Sequence, residues 1–451
     1  MADEPRRDQP LDPNEIPEPA TDTAQAHAPH DDDHDLDHHP APEEQSVDEP
    51  PERRSRIGGT LRGILLPVLA LFTAFVVGAF IIVLSDFELL GLWVTDPLAA
   101  LGASWSAVSA TYGALFRGSI GDPGAIIGAI VSLDWPALRS ALVPLSETIV
   151  SATPLILTGL SVALAFRVGL FNIGAEGQLY IGALLAVIVG FSIVGVPWFV
   201  HLPLAIAAGF VGGALWGFVP GILKARTGAH EVIVTIMLNF VAYNLVGWAL
   251  RTELVQREGR SDQISKIAEP TAALVPIVQG LRANWGIVLA ILAAVAVWWL
   301  LFRSTKGFEF RAVGFNPRAA RYAGMSIAWS TTMSMVIAGG LAGLAGMAVI
   351  LGGSRTVSPG FSPGYGFDGI VVALVGNTRP LGVVAAAFLF GALRAGATPM
   401  QSATGTPLDL VVVIQALVIM FIAAPGLVRA IYRIRAERNL GTEVFAKGWG
   451  S

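Results

Sequence analysis

Nine apolar runs, near residues 63–85, 145–166, 178–195, 202–223, 231–250, 286–302, 327–351, 381–398 and 409–428, dominate this chain. Each comes close to the roughly 20 helical residues that cross the hydrocarbon core of a bilayer. Inside lipid every backbone N–H and C=O must be satisfied within the protein, so such runs fold as helices. A tenth, shorter run at 367–376 is too short to cross alone and reads as a broken or re-entrant span. With 53% hydrophobic and 14% charged residues over 451, a soluble domain is excluded. The expected fold class is all-α: a polytopic membrane protein with about ten transmembrane helices, some broken or re-entrant.

Charge divides the chain. Residues 1–57 hold 17 of the 34 acids, five of the seven histidines and five basic residues. The remainder carries 24 basic against 17 acidic residues, a net of +7. Poor in aromatics and rich in Pro and Asp, the first segment cannot bury enough apolar surface to fold and reads as a disordered acidic cytoplasmic tail. Its run from His30 to His39 could hold a metal loosely or simply solvate the tail; the second reading is taken, and no metal site is expected. The acidic N-terminus has no apolar core of a signal peptide. There is no cysteine, which removes disulfide and thiolate chemistry.

Arg53, Arg54 and Arg56 precede the first span, and Arg429, Arg433, Arg435 and Arg438 follow the last. Both termini are then cytoplasmic by the positive-inside rule, and ten crossings satisfy that parity. Lys224, Arg226, Arg303, Lys306, Arg311, Arg318, Arg321 and Arg379 fall in cytoplasmic segments of this topology. The external loop 251–285 runs against the trend, with Arg251, Arg257, Arg260, Lys266 and Arg282 diluted by four acids. The expected divisions are the tail 1–57, a first helix with an external segment over 58–143, a core over 144–428, and a cytoplasmic tail over 429–451. A re-entrant or surface helix has room in 86–143.

Polar residues break the apolar pattern at few places. Asn172, Glu176 and Gln178 lie between two apolar runs, among Gly169, Gly174 and Gly177, which let a helix break there. Glu176 is either a polar turn at the membrane surface or a carboxylate facing a partner or a wet cavity. Glu231, Thr235 and Asn239 share one helix face, which could line an aqueous path, though Thr also back-bonds to its own helix. Asp368 opens the short run 367–376 behind a Gly/Pro-rich stretch, a counterpart in the second half to the break at 172–178. Phe361, Tyr365 and Phe367 could stack on a base or sugar, or anchor at the interface. Asn316 and Pro317 suit the cap and first turn of a short helix ended by Gly324.

Four blocks in order carry a resemblance: 171–183, 224–239, 311–325 and 358–370. Together they resemble permease subunits of ATP-binding cassette importers for nucleosides and simple sugars, akin to the ribose and branched-chain amino-acid permeases. The similarity spans roughly 145–428. It implies a bacterial cytoplasmic membrane protein that works with an ATP-binding subunit, a second related permease and an extracellular substrate-binding lipoprotein, embedded in membrane lipid. It implies a coupling helix around Gly314, Asn316, Arg318, Ala320, Arg321 and Gly324, and a substrate pathway near Asn172, Glu176, Gln178, Asn239 and Asp368.

No Gly-x-x-x-x-Gly-Lys-[Ser/Thr] loop occurs, so ATP, if used, is hydrolysed by partner subunits and no cofactor is expected in this chain. No zinc helix, nucleophile elbow or nucleic-acid patch is present, and no catalytic residue is assigned. The expected function is nucleoside translocation as a non-enzymatic subunit. Its alternatives are a ribose- or galactose-type importer permease and an ion-coupled carrier, the latter drawing on Glu176 and Asp368.

Overall fold

The computed structural model describes residues 56–433, with side chains from Leu65 onward apart from Pro425. The acidic tail and the end of the C-terminal tail lie outside the described residues. In chain order the helices are α1 (Arg56–Ser85), α2 (Phe87–Thr95), α3 (Pro97–Ile120), α4 (Pro123–Val131), α5 (Trp135–Ala141) and α6 (Val143–Arg167). Then follow α7 (Ala175–Ser192), α8 (Trp198–Thr227), α9 (Glu231–Ala249), α10 (Gly286–Arg303), α11 (Thr305–Phe315) and α12 (Pro317–Tyr322). The last are α13 (Ile327–Leu351), α14 (Tyr365–Val375), α15 (Pro380–Thr404), α16 (Asp409–Ala423) and α17 (Pro425–Ile431). Among the described residues there is no strand, and eight helices are long and apolar enough to cross a membrane. The all-α, membrane-spanning expectation holds.

Two departures concern boundaries. The run 409–428 is not one helix: the chain breaks between Ala423 and Pro425, where proline cannot continue the backbone ladder of α16. Residues 86–143 hold four helices, and α3 with α4 forms a pair bent by 44°, a broken span or re-entrant loop. Each of the four starts on an aspartate: Asp86, Asp96, Asp122 and Asp134 accept from backbone N–H groups of the first turns. Proline follows at once in Asp96-Pro97 and Asp122-Pro123, pre-set for the first helical position. α3 packs on α15, where Gly118 meets Pro399 and Gly396 meets Leu115.

Three helices form the centre. The spans of α13, α6 and α7 are 83%, 78% and 72% buried, against 44% for α15 and less for the others. Lipid gives no hydrophobic drive between helices, so close backbone approach holds this centre together. Gly209, Gly213, Gly217 and Gly221 recur every fourth residue along α8; the first three face Gly339 or Gly343 of α13, and Gly221 faces Met335 and Thr332. A methyl group on Gly213 would run into the Gly339 carbonyl and the Gly343 backbone.

The two ends of the bundle differ. At one, the ends of α6, α10, α14 and α15 meet α11 and α12 in a basic cluster; Arg167 donates from Nε to Thr378 O at 3.1 Å. At the other, residues 251–285 form a strap fastened by backbone bonds. Ser265 N donates to Val357 O at 2.9 Å, Glu269 N to Gly190 O at 2.8 Å and Leu274 N to Leu351 O at 2.9 Å. Ser146 Oγ accepts from Arg282 N and Ala283 N at 2.9 and 2.7 Å. His201, fully buried, bridges Thr271 Oγ1 at 2.7 Å and Val189 O at 3.2 Å.

Candidate solute site

Between Arg167 and Ala175 the chain leaves the helix and is held inside the bundle by amides. Asn172 Nδ2 donates to Gln178 Oε1 at 2.9 Å, and Gln178 Nε2 donates back to Asn172 Oδ1 at 3.1 Å. Asn172 also donates to Ser161 Oγ and accepts from Gly174 N. From α9, Asn239 donates to Ile173 O at 3.0 Å and accepts from Gly177 N at 2.8 Å. Backbone groups freed by the break are thereby satisfied, as burial in lipid demands. All three amides are buried and engaged with the protein. Thr235 back-bonds to Glu231 O at 2.7 Å, and Glu231 pairs with Lys224 at 3.0 Å.

Glu176, 1% exposed, accepts from the Gly366 N–H of the adjoining α14 at 2.5 Å. A carboxylate at a helix N-terminus is favoured by the unpaired N–H groups and the helix dipole. Gly366 sits directly on the α7 backbone: a Cβ there would collide with Glu176 itself. The two interrupted helices, far apart in sequence, thus meet end to end at one carboxylate. Of the two sequence readings of Glu176, the partnered interior position is the observed one.

Asp368, one turn inside α14, pairs with Arg394 of α15, Nη1 to Oδ2, at 2.9 Å. Arg394 Nη2 donates to Pro363 O at 2.9 Å, and its guanidinium lies 4.7 Å from the Tyr365 ring centre. Arg394 was not among the sequence candidates. Its signal was available, since it is the one charged residue in the apolar run 381–398.

Beside this junction, toward the strap, opens a cavity of about 570 Å³. Its walls include Tyr180 of α7, Tyr243, Asn244 and Trp248 of α9, Arg251 and Gln263 of the strap, and the Pro359-Gly360 backbone. Phe361 packs against Tyr180 with ring centres 4.5 Å apart; Tyr365 lies under Arg394, and Phe367 is 44% exposed. On the strap, Arg260 donates to Asp262 at 2.6 and 2.8 Å, and these hydrogen bonds hold the exposed Asp262 carboxyl below the usual carboxylate range.

At the basic end, α12 forms where the sequence places it. Asn316 Oδ1 accepts from Ala319 N at 3.0 Å, Pro317 begins the helix, and Gly324 leaves it at φ 79°. Ala320 is buried, while Arg318, Arg321 and Tyr322 are exposed. Gly314 lets α11 lie against the Arg167 carbonyl at the end of α6.

A bundle with two interrupted helices meeting at its middle is the architecture of a solute-conducting membrane protein. Residues 145–423 match the family described as branched-chain amino acid transport system, permease component, and the chain belongs to that family. It is a multi-pass protein of the cell membrane. Membership makes it a transport component whose family works with ATP-binding and substrate-binding partners. A guanosine ABC transporter permease of Bacillus subtilis is 44% identical over 300 residues, covering 65% of this chain and 85% of its own length. A nucleoside ABC transporter permease of Lactococcus lactis is 37% identical over 321 residues, with 66% and 88% covered. A glucose ABC transporter permease of Haloferax volcanii is 38% identical over 287 residues, with 62% and 75% covered. No solved structure matches the chain.

Proposed function

We propose that this chain is the permease subunit of an ATP-driven importer, and that its cargo is a nucleoside. The observation that carries the transport reading is the junction of α7 and α14 at Glu176, where two interrupted helices meet at a buried carboxylate inside the bundle. The nucleoside cargo is supported by the relatives at 44% and 37% identity, whose names specify guanosine and nucleosides. The glucose permease at 38% identity favours a simple sugar as the second reading.

In this reading the basic end is cytoplasmic and both termini lie on that side, with about ten passes. An extracellular binding lipoprotein delivers solute at the strap end. A second related permease completes the pathway. ATP is used by a separate subunit that pushes on α12 through Arg318 and Arg321, with Asn316, Gly314, Ala320 and Gly324 setting that helix in place. Asn172, Gln178 and Asn239 hold the broken segment beside the pathway; Glu176 joins the two halves, and Asp368 with Arg394 braces α14 against α15 along it. The chain itself performs no covalent chemistry.

Uptake of labelled guanosine and labelled ribose in a deletion strain, restored by this chain with its partners, tests the cargo. Guanosine uptake supports the reading, and ribose uptake alone selects the sugar. Arg318→Glu with Arg321→Glu should abolish uptake while ATP hydrolysis persists and the protein reaches the membrane. Full uptake in the double variant would remove α12 from coupling. Gradient-driven uptake by the chain alone in proteoliposomes would establish the ion-coupled carrier instead.

A further inference from the structure

We infer that the cavity between α7, α9 and the strap is a nucleoside subsite, in which Tyr180, Tyr243 and Trp248 take the base and Asn244, Arg251 and Gln263 take its polar edge and ribose. This deepens the nucleoside reading above and rests on it. The cavity volume of about 570 Å³ falls within the range of small-molecule sites. Tyr180 and Tyr243 stand edge to face with centres 4.8 Å apart, and Trp248, one helical turn from Asn244, is a further ring of the lining. Aromatic planes accept any base, because every base offers a π-face.

The polar groups are arranged to donate. With its amide oxygen turned to Arg251, Gln263 accepts from Nε at 2.9 Å and Nη2 at 2.6 Å. Its NH2 is then left to donate, as is the remaining guanidinium nitrogen. The cavity lining holds one cation and no carboxylate, which suits a neutral, acceptor-rich solute and disfavours cationic ones. Asn244 spends one amide hydrogen on Phe240 O at 2.8 Å and keeps its carbonyl for a partner. Interfacial anchoring accounts for Trp248 but not for an exposed amide one turn deeper on the same helix face. The location also fits passage, since Tyr180 lies one turn beyond Glu176 on α7 and so sets the cavity floor at the junction of the broken helices.

The test uses the assembled importer in membranes and 8-azidoguanosine as photoprobe. Label should fall on peptides containing Tyr180 or residues 243–251, and excess guanosine, but not ribose, should remove it. Label confined to other parts of the chain would overturn the subsite. Tyr243→Leu and Trp248→Leu should each slow guanosine uptake about tenfold, within the range for losing one stacking ring, while Tyr243→Phe and Trp248→Phe restore it. A merely structural role predicts no such rescue by ring alone and no change in the guanosine-to-inosine ratio. Undiminished guanosine uptake in both leucine variants, at normal abundance, sinks the subsite and leaves the cargo standing. Ribose uptake without guanosine uptake in the unaltered importer sinks the cargo itself.

Discussion

At the scale of single residues, the interior charges separate into a capping carboxylate and an ion pair. Glu176 accepts from the first turn of α14, so its removal leaves a buried N–H without a partner, at about 1–3 kcal/mol. Glu176→Gln keeps an acceptor oxygen, and Glu176→Ala keeps none. The glutamine variant should therefore retain abundance in the membrane and part of its uptake, and the alanine variant should lose both. Equal, normal uptake in the two variants would show that the cap contributes nothing. Asp368 and Arg394 give a second test, because they face each other from α14 and α15. Asp368→Asn alone leaves the half-buried Arg394 cation without its carboxylate and should lower uptake, whereas Asp368→Asn with Arg394→Gln should recover part of it. Additive losses in the double variant would mean that the pair is not coupled. The sequence disclosed the acid of this pair as an oddity in an apolar run. It hid the partner because Arg394 is distant along the chain, and only the packing of α15 beside α14 brings them together.

At the scale of elements, spans were legible wherever length and hydropathy alone decide. Runs at 145–166, 286–302 and 327–351 match α6, α10 and α13 closely. α12 was legible from its own cap, Asn316-Pro317, because that signal is local. In 86–143 the sequence leaves room for one re-entrant or surface helix and the structure holds four; polar residues in α3 dilute its apolar face, although Asp96-Pro97 and Asp122-Pro123 announce helix starts. The sequence marks the three amides as polar breaks in apolar runs. Their observed partners are backbone groups 60 or more residues away for Asn239, and each other for Asn172 and Gln178, which no spacing rule exposes. The glycine ladder of α8 supports a prediction at this scale. Gly213→Leu forces a side chain into the α13 backbone, and overpacking of this kind costs about 1–3 kcal/mol or more. The variant should be depleted from membranes or melt at lower temperature in detergent, whereas Gly102→Ala, facing open space, should be depleted far less. Normal abundance and melting of the Gly213 variant would show that the two helices part easily.

At the scale of the whole molecule, the strap sets what can move. It ties together the outer ends of α6, α7, α10 and α13 by backbone bonds. Around the cavity, α9 is held to α7 deeper down, where Asn239 grips Ile173 and Gly177. Higher up, α9 meets its neighbours through the Tyr180–Tyr243 ring contact and, just past its end, the Arg251–Gln263 hydrogen bonds, contacts that a moving helix can exchange. The upper edge of α9 passes Gln263, 3.8 Å from the position a side chain on Gly247 would take. The chain has no native cysteine, so Gly247→Cys with Gln263→Cys, joined by a bifunctional thiol reagent, gives a latch whose effect is read against the untreated double variant. Cross-linking should stop the uptake that the untreated variant retains; unimpeded flux through the latched protein would mean that the doorway lies elsewhere. If the latch stops flux, the size of cargo is set by the travel of a single helix and not by the girth of the bundle.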